Sequence, residues 1–205
     1  EASGGDRPET VRHSYLGKAP DAADGFDKDA YNLIGARGDR VTAMKKGRGL
    51  LLIAKGQELY RLTGFGRAYP GWQYQVEGVH NTAGLGVENP LAFEHATPYW
   101  YGIGKQGPFR TDGYEVEGLF APRARSWRGI DQLPLSWVRY HPERRVVLFG
   151  VHVVTGAPDA TYPWVLHVWD TDREVWQPNW KVAGGTTRFF IAQAVVMFGA
   201  AVGGS

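Results

Sequence analysis

Gly107-Pro108-Phe109-Arg110-Thr111-Asp112-Gly113-Tyr114-Glu115-Val116-Glu117-Gly118-Leu119-Phe120 contains two short β-prone runs, 107–111 and 114–120, joined by Asp112-Gly113. Asp-Gly between apolar runs is a strong hairpin signal. The aspartate carboxylate accepts turn N–H groups, and glycine adopts positive φ at no steric cost. The same device recurs on both sides of this stretch. Lys46-Gly47-Arg48-Gly49 separates runs 40–45 and 50–55, and a lone Gly56 leads into 57–63. Tyr140-His141-Pro142-Glu143-Arg144 is a longer version between 135–140 and 144–154. Further runs lie at 72–79, 91–95, 98–103, 164–170 and 175–182, and 188–198 begins another. Few windows carry a 3.6-residue apolar stripe longer than two helical turns. The chain is expected to be all-β, in antiparallel meanders.

Composition agrees. With 205 residues the chain suits one domain able to bury a sizeable core, so the lack of cysteine is no handicap. That lack excludes disulfides, thiolate metal sites and a cysteine nucleophile. The 28 glycines and 12 prolines make up about a fifth of the chain, against an ordinary share of roughly 12%. This excess implies many turns, and eight tryptophans suit pleated surfaces. Lys+Arg 23 against Asp+Glu 21 leaves a formal +2, too little for a dedicated nucleic-acid binder. Hydrophobic content of 43% excludes a disordered chain. No apolar stretch is long enough to span a membrane.

Residues 1–37 differ from the rest. They are polar, contain Pro8 and Pro20, and carry the acidic run Asp21, Asp24, Asp27 and Asp29. They are expected to form an extended N-terminal arm, ordered only where it lies on a partner, with the β region occupying 38–205. A weak repeat runs through that region. Leu59-Tyr60-Arg61-Leu62-Thr63-Gly64 and Pro108-Phe109-Arg110-Thr111-Asp112-Gly113 lie 49 residues apart, each preceded by an apolar run ending in glycine. A third unit follows, 147–150 and then 164–170, after an insertion at 151–162. Periods of about 40–50 residues with four strands per unit are the signature of propeller blades, and known propellers use about 4–8 of them. About three blades and the start of a fourth are countable here. The chain begins at Glu1, so it is expected to be a processed product or a piece of a larger ring.

Three stretches together resemble bacteriophage virion structural proteins built on β-propellers. The first joins Val41-Thr42-Ala43-Met44 to 49–55 and Glu58-Leu59-Tyr60-Arg61-Leu62-Thr63-Gly64. The second joins 84–93, Tyr99-Trp100-Tyr101-Gly102-Ile103-Gly104 and 109–116. The third joins 138–149, Trp164-Val165-Leu166-His167-Val168-Trp169-Asp170 and Val175-Trp176-Gln177-Pro178. The resemblance covers about residues 38–182 in order. The insertion at 151–162 departs from the pattern, and residues 1–37 have no counterpart in it. It implies a tail-nozzle, neck or tail-tip component in the virion, assembled in several copies with other tail, neck or portal-side proteins.

No constellation of reactive residues stands out. His13, His80, His95, His141, His152 and His167 show no metal-site spacing, and structural roles are favoured for them. The run Asp21–Asp29 fails the calcium-loop spacing. Asp170-Thr171-Asp172 reads as a turn. There is no nucleophile elbow and no phosphate loop, and Gly64-Phe65-Gly66 is a loop pair. A propeller glycosidase would need paired carboxylates and an aromatic platform. Glu77, Glu88, Glu94, Asp112, Glu115 and Glu117, with Trp72, Trp100 and Tyr101, are the residues on offer. The sialidase-type Ser-x-Asp-x-Gly-x-Thr-Trp box is missing. Arg123, Arg125 and Arg128 around Trp127 leave room for a nucleic-acid contact without indicating one. Trp137, Trp164, Trp169, Trp176 and Trp180 are expected to fill space between blades.

The sequence reading is therefore a virion structural protein that mediates protein–protein assembly, with no catalytic, cofactor or metal residues assigned. The alternative is a carbohydrate-binding or glycoside-hydrolysing propeller that recognises a host surface.

Overall fold

A computed structural model describes residues 9–14, 26–35, 39–68, 71–82, 84–119, 127, 133–152 and 164–181. The strands are β1 Thr10–Ser14, β2 Phe26–Leu33, β3 Val41–Gly47, β4 Leu50–Lys55, β5 Leu59–Ala68, β6 Gly71–Gly78 and β7 Phe93–Ala96. They continue with β8 Tyr99–Gly104, β9 Gly107–Thr111, β10 Val116–Gly118, β11 Trp137–His141, β12 Val146–His152, β13 Trp164–Asp170 and β14 Val175–Lys181. Only 3-10 turns at Pro90–Ala92 and Leu133–Leu135 break the β pattern among the named elements. No helix among the described residues is long and apolar enough to cross a membrane.

β3–β6, β7–β10 and β11–β14 form three four-stranded antiparallel sheets, each a meander in chain order. Their first strands stand side by side, β3 next to β7 and β7 next to β11. Among the described residues the three sheets do not close into a ring.

Turn chemistry sets the hairpins. Gly47 pairs with Leu50, which leaves a two-residue loop at Arg48-Gly49 with φ of 48° and 76°. Positive φ at both central positions matches the strand twist. Between β9 and β10, Thr111 pairs with Val116. The Asp112 carboxylate there accepts the N–H groups of Tyr114 at 2.8 Å and Glu115 at 3.1 Å, and Gly113 takes φ 96°. Asp170 caps the β13–β14 turn in the same way, accepting from Asp172 and Arg173 at 3.0 Å each. Both expected turns form as read.

Strand alternation sends each sheet's residues to two faces. Leu52, Ala54 and Leu59 of the first sheet meet Phe93, Trp100 and Phe109 of the second. The opposite face of the second sheet, with Tyr101 and Ile103, meets Val138, Val147, Phe149 and Trp169 of the third. The middle sheet is thus buried on both faces, which explains the continuous apolar run of β8. Burying each such large side chain contributes about 1.5–3 kcal/mol. Small residues on second strands make room for aromatics. A Cβ on Gly102 would collide with the Phe109 ring, and one on Gly150 with the indole of Trp137.

The N-terminal segment departs from the extended-arm expectation. β1 and β2 pair antiparallel, and Val11 and Ile34 pack with Ile53 and Leu62 on the first sheet's outer face. The Lys55 ammonium, itself buried, donates to the Ile34 carbonyl at 2.7 Å. Polarity argued for an arm ordered only on a partner, but an apolar sheet face needs cover, and a few apolar anchors on a strand pair supply it. Asp21 and Asp24 lie outside the described residues, as do Arg123, Arg125, Arg128 and most of the 151–162 insertion; so does the run at 188–198.

Candidate functional site

The densest polar arrangement sits where the second sheet meets the third. Strand register places Arg110 of β9 directly across from Glu117 of β10. The Arg110 Nε donates to Glu117 at 2.8 Å. Its Nη1 and Nη2 reach across the sheet boundary to Glu174 in the β13–β14 turn, at 2.6 and 3.3 Å. The guanidinium also lies over the Tyr99 ring, 4.6 Å from its centroid. Burial disfavours this cation, but hydrogen bonds to Glu174 and Glu117 outweigh burial and push the Arg110 pKa up. In return Arg110 holds the Glu174 carboxyl below its ordinary range. Burial of Tyr101 drives its pKa up to about 12, against the opposing pull of Arg110.

A cleft of about 350 Å³ opens beside this cluster, lined by Tyr99, Arg110, Thr111, Asp112, Glu115, Val116 and Glu117. Partial burial opposes ionisation of Asp112, yet the Tyr114 and Glu115 N–H groups win and lower its pKa. Its carboxylate is committed to the turn.

A second cluster joins the three first strands. Lys45 of β3 and Arg139 of β11 both approach Oε2 of Glu94 on β7, at 3.4 and 3.2 Å. The adjacent His95 lies tilted against Trp100, with ring centroids 4.8 Å apart. Burial lowers the His95 pKa despite the neighbouring Glu94.

The other residues singled out by sequence scatter into structural roles. Glu77 pairs with Arg61, Glu88 with Lys105 at 3.6 Å, and Glu115 accepts from Asn81 at 2.6 Å. Trp100 and Tyr101 are fully buried and present no platform to a sugar. Trp127 is buried against His167 and Trp176. His80 is exposed and forms a backbone bridge to Glu115, and His141 Nδ1 accepts the Arg144 N–H at 3.4 Å. The side chains of His13, Trp72, His152, Trp164 and Trp180 lie outside the description. No group of three His, Asp or Glu among the described residues stands close enough to hold a metal ion.

Sequence reasoning missed Arg110, its partner Glu174, and the convergence of Lys45 and Arg139 on Glu94, which it had named only as a spare carboxylate. The signal for Arg110 lay in the repeat. Arg61 occupies the same repeat position, pairs across its own hairpin with Glu77, and lies 4.1 Å from the Tyr114 ring centroid in the next sheet. Each arginine thus pairs within its own sheet and reaches into the third-to-fourth-strand hairpin of the next.

Fold and site together define an all-β protein of stacked four-stranded meanders clasped by arginines. No protein-family model and no curated protein sequence matches the chain.

Proposed function

We propose that the chain is a structural module, a propeller-type stack of blades that assembles with copies of itself and with other proteins as a component of a phage tail, neck or tail tip. The observation that carries this reading is the side-by-side placement of β3, β7 and β11, with each meander packed face to face on the next. Blades around an axis have that arrangement, and an open series of sheets requires neighbours to cover its ends. The clasps and aromatic seams between sheets suit a rigid plate whose function lies in its surfaces. The virion assignment itself rests on the resemblance of residues 38–182 to phage propeller proteins.

Analytical ultracentrifugation with negative-stain imaging tests the reading. Ring-shaped oligomers, or rings formed with a second virion protein, are expected. A monodisperse monomer at every concentration that joins no virion protein overturns it. The cleft beside Tyr99 favours carbohydrate binding as the second reading, and glycan binding abolished by Tyr99→Ala would support that alternative.

A further inference from the structure

Among the described residues, the tips between first and second strands of the three sheets, and between third and fourth strands of the second and third, share one end of the stack. The Arg48 Nη1 donates to the Pro98 carbonyl at 3.4 Å, which joins the tips of the first and second sheets. The Thr171 N–H donates to the Arg145 carbonyl at 3.0 Å, which joins two tips of the third. Charge is segregated across this end. The inner tips and strand ends carry Lys45, Lys46, Arg48, Arg139, Arg144 and Arg145, against the carboxylates Glu94 and Glu143. Lys45 and Arg139 share a single carboxylate oxygen, so one negative charge faces two positive ones. The described outer tips, those of the second and third sheets, are acidic on balance, with Asp112, Glu115, Asp172 and Glu174 against Arg173, and Asp172 pairs with Arg145 of the inner tip at 3.1 Å.

Arg48 and Arg145 stand in the left-handed region, with φ of 48° and 51°, at the first-to-second-strand tips of the first and third sheets, as Glu174 does at 53° in the outer tip of the third. Glycine or asparagine fits such corners with less strain. Both side chains are exposed. Between them the tip of the second sheet is the uncharged Thr97-Pro98.

We infer that this basic lane across the inner hairpin tips is a docking surface for the phosphate backbone of a nucleic-acid duplex. Guanidinium forks match phosphate oxygens, and the fixed hairpins offer a stiff row of charges to a stiff, regular polyanion. No large aromatic side chain is exposed between the basic tips among the described residues, so phosphates rather than splayed bases are the fitting target. The acidic outer tips would repel the same polyanion and confine it to the inner lane.

The test is fluorescence anisotropy of the full chain with a labelled duplex of roughly 30 base pairs in about 50 and 200 mM salt, where each phosphate contact adds about 0.9 to the logarithmic salt slope. Binding is expected at the lower salt and should be insensitive to sequence. The double variant Arg48→Gly/Arg145→Gly relieves both left-handed corners, so its thermal midpoint should hold or rise while affinity falls about tenfold and the slope drops by about 1.8. Arg48→Asn/Arg145→Asn, which also tolerates these corners, provides a second fold-neutral pair. Absence of wild-type binding at low salt, or unchanged affinity in either folded double variant, overturns the inference. Tighter binding of polyglutamate than of duplex reassigns the lane to an acidic protein and overturns it as well.

Discussion

The seam between the first and second sheets and the seam between the second and third use the same geometry with different chemistry. In the first seam Leu52, Leu59, Val87, Phe93, Trp100 and Phe109 form an apolar core. Arg61 meets only a ring across the boundary, Tyr114, with its carboxylate partner Glu77 in its own sheet. In the second seam aromatics dominate. Trp169 and Trp176 stand edge to face at 5.1 Å, Trp127 wedges in, and the Trp176 indole donates to the Leu119 carbonyl at 2.9 Å. Arg110 there reaches a carboxylate across the boundary with two donors. One seam is held by shape and burial, the other by aromatic packing plus directed charge. Seams between successive meanders of the same strand order can therefore differ in the chemistry that holds them.

The largest effects should come from the apolar seam. Trp100→Ala removes a fully buried indole and should cost about 3–5 kcal/mol in urea unfolding, whereas Trp176→Ala, half-buried in the other seam, should cost less than about 2. Equal losses would show that the seams do not differ in this way.

Gly113→Val is the next largest. Its φ of 96° is closed to valine, and a Cβ there would lie 2.9 Å from Leu50 Cδ1 across the first seam. A loss of about 1–3 kcal/mol is expected. An unchanged thermal midpoint would deny the tight turn.

The clasps come third. A double-mutant cycle on Arg110 and Glu174 should return a coupling of about 1 kcal/mol or more, and one on Arg61 and Tyr114 about 0.5. Glu174 is half-exposed, which discounts the pair relative to a fully buried one. A larger coupling at Arg61 would reverse the comparison.

The smallest effect is in pH. Glu174, Asp170 and Asp112 have folded carboxyls held below the ordinary range of about 4. A depressed folded pKa contributes stability that is complete above the unfolded value and lost as pH falls through the folded one. Thermal midpoints should therefore decline below about pH 4, and Glu174→Gln should flatten part of that decline. A variant with the wild-type profile would remove Glu174 from the account.

Most of the fold is visible in the chain because it follows from local rules. Asp112-Gly113 and Asp170-Thr171-Asp172 mark their turns, since the side chain that signals each turn also makes the bonds that close it. The burial of β8 on both faces is legible in Tyr99-Trp100-Tyr101-Gly102-Ile103. The N-terminal pair was not legible, because β1 and β2 are polar and their place depends on an apolar face made by other strands. The Arg110 cluster was half legible. Its partner Glu117 sits across a hairpin, while Glu174 is 64 positions away in another sheet.

By itself, the sequence determined the strand periodicity, the hairpins and the repeat, set by interactions between near neighbours, and its composition excluded cysteine chemistry. Only the tertiary structure decided that Val11 and Ile34 cover the first sheet, that Lys45 and Arg139 converge on Glu94, and that Arg110 clasps Glu174. These contacts join residues from separate sheets or layers. Their partners are chosen by how the pleated faces stack and twist, and no local rule along the chain encodes that choice.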